Sequence, residues 1–570
     1  MEQQIKNFRE KRGWTQEELA KKVGVSKGTI NRWEKGASTP SKLANERLTQ
    51  LGVTENDMNQ YQKKVDGKPF HYNGERYVVK PQPYVLNAPT DQNNFHDLLI
   101  NLQEHLSCDI PWDTYKERLS LIECVDTLTN RTSQSLLEKR KENSKSWNSN
   151  YGTHGWHRYI GRFPPHLVRA LLNYFKADSN DLILDPFAGS GTTLVECRLV
   201  GIPSIGIEIC PLSALITNTK SKFPKLDENE VFNVISELEI FYLTEWTNFL
   251  NNRNFDDITY EDVIGREGNA IKTFANYERW FSKEALLGTS ILVQFAREKE
   301  GYIRDAILVA LSSKMRSIGN VDVDVVRAEY SKKPRENVNV LNLVTSQLSK
   351  MAKNIKESYQ THKSLITEEK VRLIEGDVLK TDLPEGSISH VITSPPYGIE
   401  SISYLRTHLL SYRSLEEFLG ADPYKFGDEV IGSEYLPSEE PTLSKFDVSD
   451  MSQTYKDFFK QFLEQDLTKK IKVRVLMMMK FFDDMNNLAI KLQKWVKDGG
   501  KVAFVIGNKK IGTTIIPTDQ IIREIFESNG FIFENSIGHK LKTNNSNSQV
   551  PWQDKIIKDE FVMLFQKETD

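Results

Sequence analysis

Hydrophobic residues change their spacing along this chain, and each change marks a different kind of structure. Over the first 55 residues they recur at helical intervals, and Ile5, Phe8, Leu19, Val25, Ile30 and Trp33 can share one small core. Thr15-Gln16-Glu17-Glu18 forms a capping box, so a helix starts there and runs to about Lys22. Gly24 breaks it, and Ser26 caps a second helix ending at Gly36. Residues 52–73 read as a polar linker. From 74 to 150 short apolar and polar stretches alternate, as in a helical spacer.

Beyond residue 180 the apolar runs are short and each stops at a polar or glycine-rich turn. Leu182-Ile183-Leu184 runs into Asp185-Pro186-Phe187, and SIGIE ends at Glu208. VRLIE precedes Asp377, and Val391-Ile392-Thr393 stops at Ser394-Pro395-Pro396-Tyr397-Gly398. Strand, turn and helix in that rhythm predict an α/β fold with a doubly wound, mostly parallel sheet. KVAFVIGNKK adds a buried strand, IIPTDQIIREIFESNGF an amphipathic helix, and FIFENSIGHKL with DEFVMLFQK a closing antiparallel pair. Residues 222–365 interrupt the rhythm with a largely helical insertion. It carries a basic run (Lys314, Arg316, Arg327, Lys332, Lys333, Arg335) that could track phosphates. Arg406, His408 and Arg413 form a second candidate of that kind.

Composition narrows the class. The chain has 570 residues, of which 39% are hydrophobic and 27% charged, which predicts several globular domains. The formal net charge is -3, so any nucleic-acid face must come from local clusters. Cys108, Cys124, Cys197 and Cys210 show no metal-ligand spacing, which predicts no metal site and suits a reduced cytoplasm. The charged start lacks a signal peptide's apolar segment, and no apolar run could span a bilayer. A cytoplasmic protein without membrane partners is expected.

The head's two helices joined by a glycine turn describe a helix-turn-helix. The run TQEELA, then GVS, then a W-E-x-G ending resembles the Cro/CI-type repressor family. That resemblance implies that Ser26, Lys27, Gly28, Thr29 and Arg32 face the major groove of operator DNA.

Three ligands compete for DPFAGSGTT. A phosphate loop needs a lysine after the glycines, and none follows. A dinucleotide site needs a third glycine where Leu194 stands. S-adenosylmethionine carries an ammonium group and no phosphate. Asp185 at the strand end suits that charge, glycines admit the backbone closely, and the Glu208 carboxylate can accept ribose hydroxyls. DPFAGSGTT followed at a distance by TSPPYG resembles the amino-group DNA methyltransferases, which methylate cytosine N4 or adenine N6. The resemblance covers roughly residues 150–570 and implies a Rossmann-like methyltransferase domain. It implies a cofactor set of Phe163, Pro164, Asp185, Phe187, Gly189, Gly191, Thr192, Glu208 and Asp377. In that set the helix opened by Pro164-Pro165 holds the cofactor carboxylate, and Asp377 meets the adenine.

The Ser-Pro-Pro-Tyr turn supplies the chemistry. A paired exocyclic amine is delocalised and hydrogen-bonded, so its base must first leave the stack. Ser394 and the carbonyl of Pro395 can then accept the two amine hydrogens, while Pro395 and Pro396 hold the acceptors rigid. Tyr397 can stack on the flipped base. Carbon-5 methylation would need a cysteine nucleophile in a Pro-Cys pair. Only the reversed Cys210-Pro211 is present nearby. Serine in the first position is usual in cytosine-N4 enzymes of the family, so Ser394 favours that base.

The reading is a site-specific, cytosine-N4 DNA methyltransferase acting on duplex DNA beside a cognate restriction endonuclease, with autoregulation through the head. Its rivals are an adenine-N6 enzyme, an RNA methyltransferase, and a DNA-binding regulator that only senses cofactor. The expected organisation is a helix-turn-helix over 1–55, linker and spacer over 56–150, and catalytic parts over 151–221 and 366–570. The insertion between them, 222–365, is a candidate for target recognition.

Overall fold

Seven strands form one sheet because each apolar run beyond residue 180 pairs side by side with another. In chain order they are β1 (Ile183–Asp185), β2 (Ser204–Glu208), β3 (Val371–Glu375), β4 (Ile388–Thr393), β5 (Val496–Gly507), β6 (Phe531–Lys540) and β7 (Asp559–Lys567). The computed structural model describes Ile5, Arg9, most of 14–34, short strands at 70–72 and 75–77, and most of 150–569. Within that last span 160, 270, 272–273, 323–327, 363–369, 399–403, 421–429, 433–450, 464–467, 512–513 and 541–558 are outside the description. Two units are described separately: the N-terminal one and the one built on the seven-stranded sheet.

Across the sheet the order is β6-β7-β5-β4-β1-β2-β3. β3, β2, β1, β4 and β5 run parallel, while β7 lies antiparallel between β5 and β6. This is the Rossmann-like, doubly wound arrangement expected from the sequence. From β1 the chain winds outward through β2 to β3, and it later returns to β4 on the other side of β1. The winding therefore reverses between β1 and β4, and the carboxyl ends there open a crevice for a ligand.

Helices α3 (Pro165–Tyr174), α4 (Thr192–Val200) and α5 (Pro211–Ser221) surround the first strands. The long interval before β3 holds α6 (Glu228–Leu250), α7 (Lys283–Arg297), α8 (Gly301–Ile318) and α9 (Val340–His362). Their apolar faces share a core with Val195 and Leu199 of α4. A second core covers the sheet itself. Leu184, Val391, Val502 and Phe504 pack there with Met478, Phe481 and Trp495 of α10 (Lys469–Trp495). Ile521, Ile522, Ile525 and Phe526 of α11 (Thr518–Ser528) join it, one helical face spent entirely on burial. Among the described residues no helix is long and apolar enough to cross a membrane.

In the head, α1 (Gln16–Val23) and α2 (Lys27–Glu34) enclose Ile5, Leu19, Ala20, Val23, Ile30 and Trp33. The expected capping box is formed. Thr15 Oγ1 accepts from the Glu18 N–H at 3.2 Å, and the Thr15 N–H donates to Glu18 Oε2 at 2.7 Å. Phe8, Gly24 and Ser26 lie outside the described residues.

Candidate active site

The glycine loop after β1 is held by its neighbours rather than by its own sequence alone. Gly189 and Gly191 both adopt positive φ, +54° and +77°, which glycine tolerates without strain. The Gly189 carbonyl accepts from Thr217 Oγ1 at 2.8 Å, and the Ser190 carbonyl from Lys220 Nζ at 2.6 Å. Lys220 is fully buried, and that burial pushes its ammonium well below the usual lysine range. Gly191 caps α4 and is needed for packing. A Cβ there would lie 2.7 Å from Thr217 Cγ2.

Two carboxylates stand at adjacent strand ends. Asp185 closes β1 and accepts from Thr393 Oγ1 at 2.7 Å and from the Phe187 N–H at 3.2 Å. The threonine closes β4, so this bond bridges the reversal of winding. Burial pushes Asp185 up to about 6 against the pull of those donors. Glu208 closes β2. Its two oxygens accept from the Gly189 N–H at 2.7 Å and the Cys210 N–H at 2.8 Å. Burial raises it to about 7, opposed by the same amides. Asp377, just past β3, accepts from the Leu379 N–H at 2.9 Å.

One cleft, with about 830 Å³ of empty space that includes open solvent, gathers these groups. Phe163, Asp185, Phe187, Gly189, Thr192, Glu208 and Asp377 line it, together with Ser394 and Pro396 of the proline turn. Pro164, Gly191, Pro395 and Tyr397 are not in its wall. Pro164 caps α3 ahead of Pro165, and Gly191 is turned toward Thr217. Tyr397 packs partly against the sheet core, and its Oη donates to Glu560 Oε1 at 2.7 Å and lies 3.2 Å from Ser394 Oγ. The turn is seated on α10 at Gly398 (φ +83°), where a Cβ would fall 2.7 Å from Met478 Sδ. Val430 and Ile431 complete the wall.

Sequence reasoning missed several supports. Thr393 had a local signal, standing directly before the proline turn. Thr217, Lys220 and Glu560 had none, because each reaches the site from a distant element. Tyr159, also in the wall, stacks on the His408 ring at 5.4 Å and meets Ser213 Oγ at 2.9 Å. Cys210 is buried, and burial holds its thiol well above the usual range, which disfavours the thiolate.

The basic clusters are partly spent inside the fold. Arg316 donates to the Asp322 carbonyl at 2.8 Å, and Arg335 to the carbonyls of Gly319, at 3.1 Å, and Arg316. His408 is buried between Tyr159 and His157, out of reach of a DNA phosphate. Lys332 and Lys333 are exposed, while Arg327 lies outside the described residues. In the head, Lys27 and Gly28 are exposed on α2 and Thr29 is half-buried. Arg32 lies on the same helix.

Residues 5–43 match a helix-turn-helix family model, and residues 45–214 match a DNA methylase model of the N6/N4 type. The type II methyltransferase M.BsoBI of Geobacillus stearothermophilus is 24% identical over 72% of this chain and 85% of its own. M.MjaII of Methanocaldococcus jannaschii, also a type II methyltransferase, is 19% identical over 78% and 89%. An uncharacterized HTH-type transcriptional regulator of Archaeoglobus fulgidus is 58% identical over 41 residues, 7% of this chain and 59% of that protein. The glycine loop, the strand-end acids and the proline turn meet in one cavity, and the chain is similar to the N6/N4 DNA methylases behind a head that matches the helix-turn-helix model, a likeness that implies S-adenosylmethionine as methyl donor.

Proposed function

We propose that this methylase modifies the exocyclic N4 amine of cytosine in duplex DNA, as the protecting partner of a type II restriction endonuclease. The observation that carries the reading is the single cavity joining three strand-end acids to Ser394 and Pro396.

The chemistry of the wall suits the methyl donor. Among the described lining residues, Asp185, Glu208 and Asp377 oppose Arg162 alone, a balance that repels a pyrophosphate and favours a ligand of net positive charge. Asp185 would hold the ammonium end. Each Glu208 oxygen already accepts one amide and keeps a second lone pair for a ribose hydroxyl. Asp377 would meet the adenine, and Phe163 and Phe187 supply apolar wall. When bound, S-adenosylmethionine supplies an electrophilic methyl group on a sulfonium.

The chain's own task is to ready the amine. Ser394 and the Pro395 carbonyl accept its two hydrogens, drawing the nitrogen out of conjugation and freeing its lone pair. Two consecutive prolines keep those acceptors from relaxing. Cytosine is favoured over adenine by serine at the head of the turn. The test is to incubate the protein with methyl-labelled S-adenosylmethionine and unmethylated genomic DNA, then identify the labelled nucleoside by mass spectrometry. N4-methylcytosine is expected, and N6-methyladenine would discard the choice of base while keeping the chemistry.

A further inference from the structure

We infer that Glu560, on β7, is a positioning residue that fixes which way the Ser394 hydroxyl points. This rests on the reading of Ser394 as an acceptor for the target amine.

The argument is a count of hydrogens. Burial raises the Glu560 carboxyl and the Tyr397 hydroxyl opposes that rise; once ionised, the carboxylate offers only lone pairs, so Tyr397 spends its single hydroxyl hydrogen on it, at 2.7 Å. The Tyr397 oxygen then faces Ser394 Oγ, 3.2 Å away, with lone pairs. In that pair Ser394 must be the donor. Its own hydrogen is thereby committed toward Tyr397, and lone pairs remain for the cavity it lines.

A free serine hydroxyl can donate or accept. Only acceptance is useful here, because an amine hydrogen meets repulsion from another hydrogen. The chain Glu560, Tyr397, Ser394 makes the hydroxyl one-directional before any base arrives, so no reorganisation is needed during reaction. Glu560 itself cannot drift. Its strand is paired on both sides, opposite Gly507 of β5 and His539 of β6.

Four variants of the full-length protein test this: Tyr397→Phe, Glu560→Leu, the double variant and Ser394→Ala. The assay is methyl transfer to unmethylated genomic DNA, with S-adenosylmethionine affinity and melting temperature measured alongside. Tyr397→Phe and Glu560→Leu should each lower the maximal rate roughly ten- to a hundred-fold, the scale of one hydrogen bond to a charged group. Cofactor affinity should not move. The double variant should fall no further than the worse single, because a broken chain is not broken twice.

Losses that multiply in the double variant would overturn the inference, as would a wild-type rate for either single. So would a loss in Glu560→Leu matched by an equal loss of cofactor affinity, which marks a merely structural role. If Glu560→Leu does not fold, Tyr397→Phe decides alone, since it leaves β7 intact. Ser394→Ala separates the two readings: full activity there removes the amine-acceptor role itself. An inactive Ser394→Ala beside unimpaired Tyr397→Phe and Glu560→Leu removes only the part given to Glu560.

Discussion

Asp185 and Glu208 are carboxyls held in the wrong form for a solvent-exposed acid, titrating near 6 and near 7 because burial disfavours their charge. The sign of the consequence follows from proton counting. Between the ordinary carboxylate range and those values the folded protein keeps protons that the unfolded chain has released. Each group therefore takes stability away as pH rises through that window. If Asp185 and Glu208 hold the cofactor as proposed, its binding has the opposite slope, because a positively charged ligand needs the ionised carboxylates. Affinity for S-adenosylmethionine should strengthen from pH 5.5 to 8 and then level off, and Asp185→Asn should flatten much of that rise. Calorimetric titration across the range checks it, and an affinity indifferent to pH would take both acids out of the site. Both were legible in the sequence because each ends a short apolar run, a signal carried by neighbouring residues. Glu560 was not legible: it lies 163 positions from Tyr397, and only the pairing of β7 beside β5 brings them together.

At the scale of elements, α4 is anchored by a charge that no amphipathic pattern would place there. Glu196 is completely buried. It accepts from Tyr151 Oη at 2.6 Å and Arg169 Nε at 2.6 Å, and it pairs with His154 Nε2 at 2.7 Å. Burial alone would raise this carboxyl. Arg169 first, then His154 and Tyr151, outweigh burial and hold it down to about 2. The network ties α3 and the turn at Gly152–Trp156 to α4, and so keeps Phe163 beside the glycine loop. Glu196→Ala strands the Arg169 guanidinium in the interior, where removing one partner of a buried pair costs about 3–5 kcal/mol. Thermal melting should show that loss, and an unchanged melting temperature would mean the network is not structural. The strands, α11 and the closing antiparallel pair were readable from periodicity. This network was not, because it joins three segments and each polar residue in it looks exposed in its own sequence context.

At the scale of the whole molecule, two DNA-directed parts share one chain, and the division of labour between them is open to a direct test. Deletion of residues 1–55 should leave methyl transfer within a few-fold of wild type while abolishing retention of promoter DNA in a mobility-shift assay. Loss of methylation instead would give target reading to the head. The catalytic part has a division of its own, since the helices α6 to α9 lie wholly between β2 and β3. Those two strands pair from Ser204↔Val371 to Glu208↔Glu375, so the sheet must close around everything in between. Closing a longer loop costs little more than closing a short one, about 0.6 kcal/mol for each doubling of length. A whole helical layer can therefore enlarge, shrink or be replaced at this crossover while the register that sets Asp185 beside Glu208 stays as it is. The strand register is thus insulated from the length of the helical layer, as a hinge pin is from the size of the door it carries.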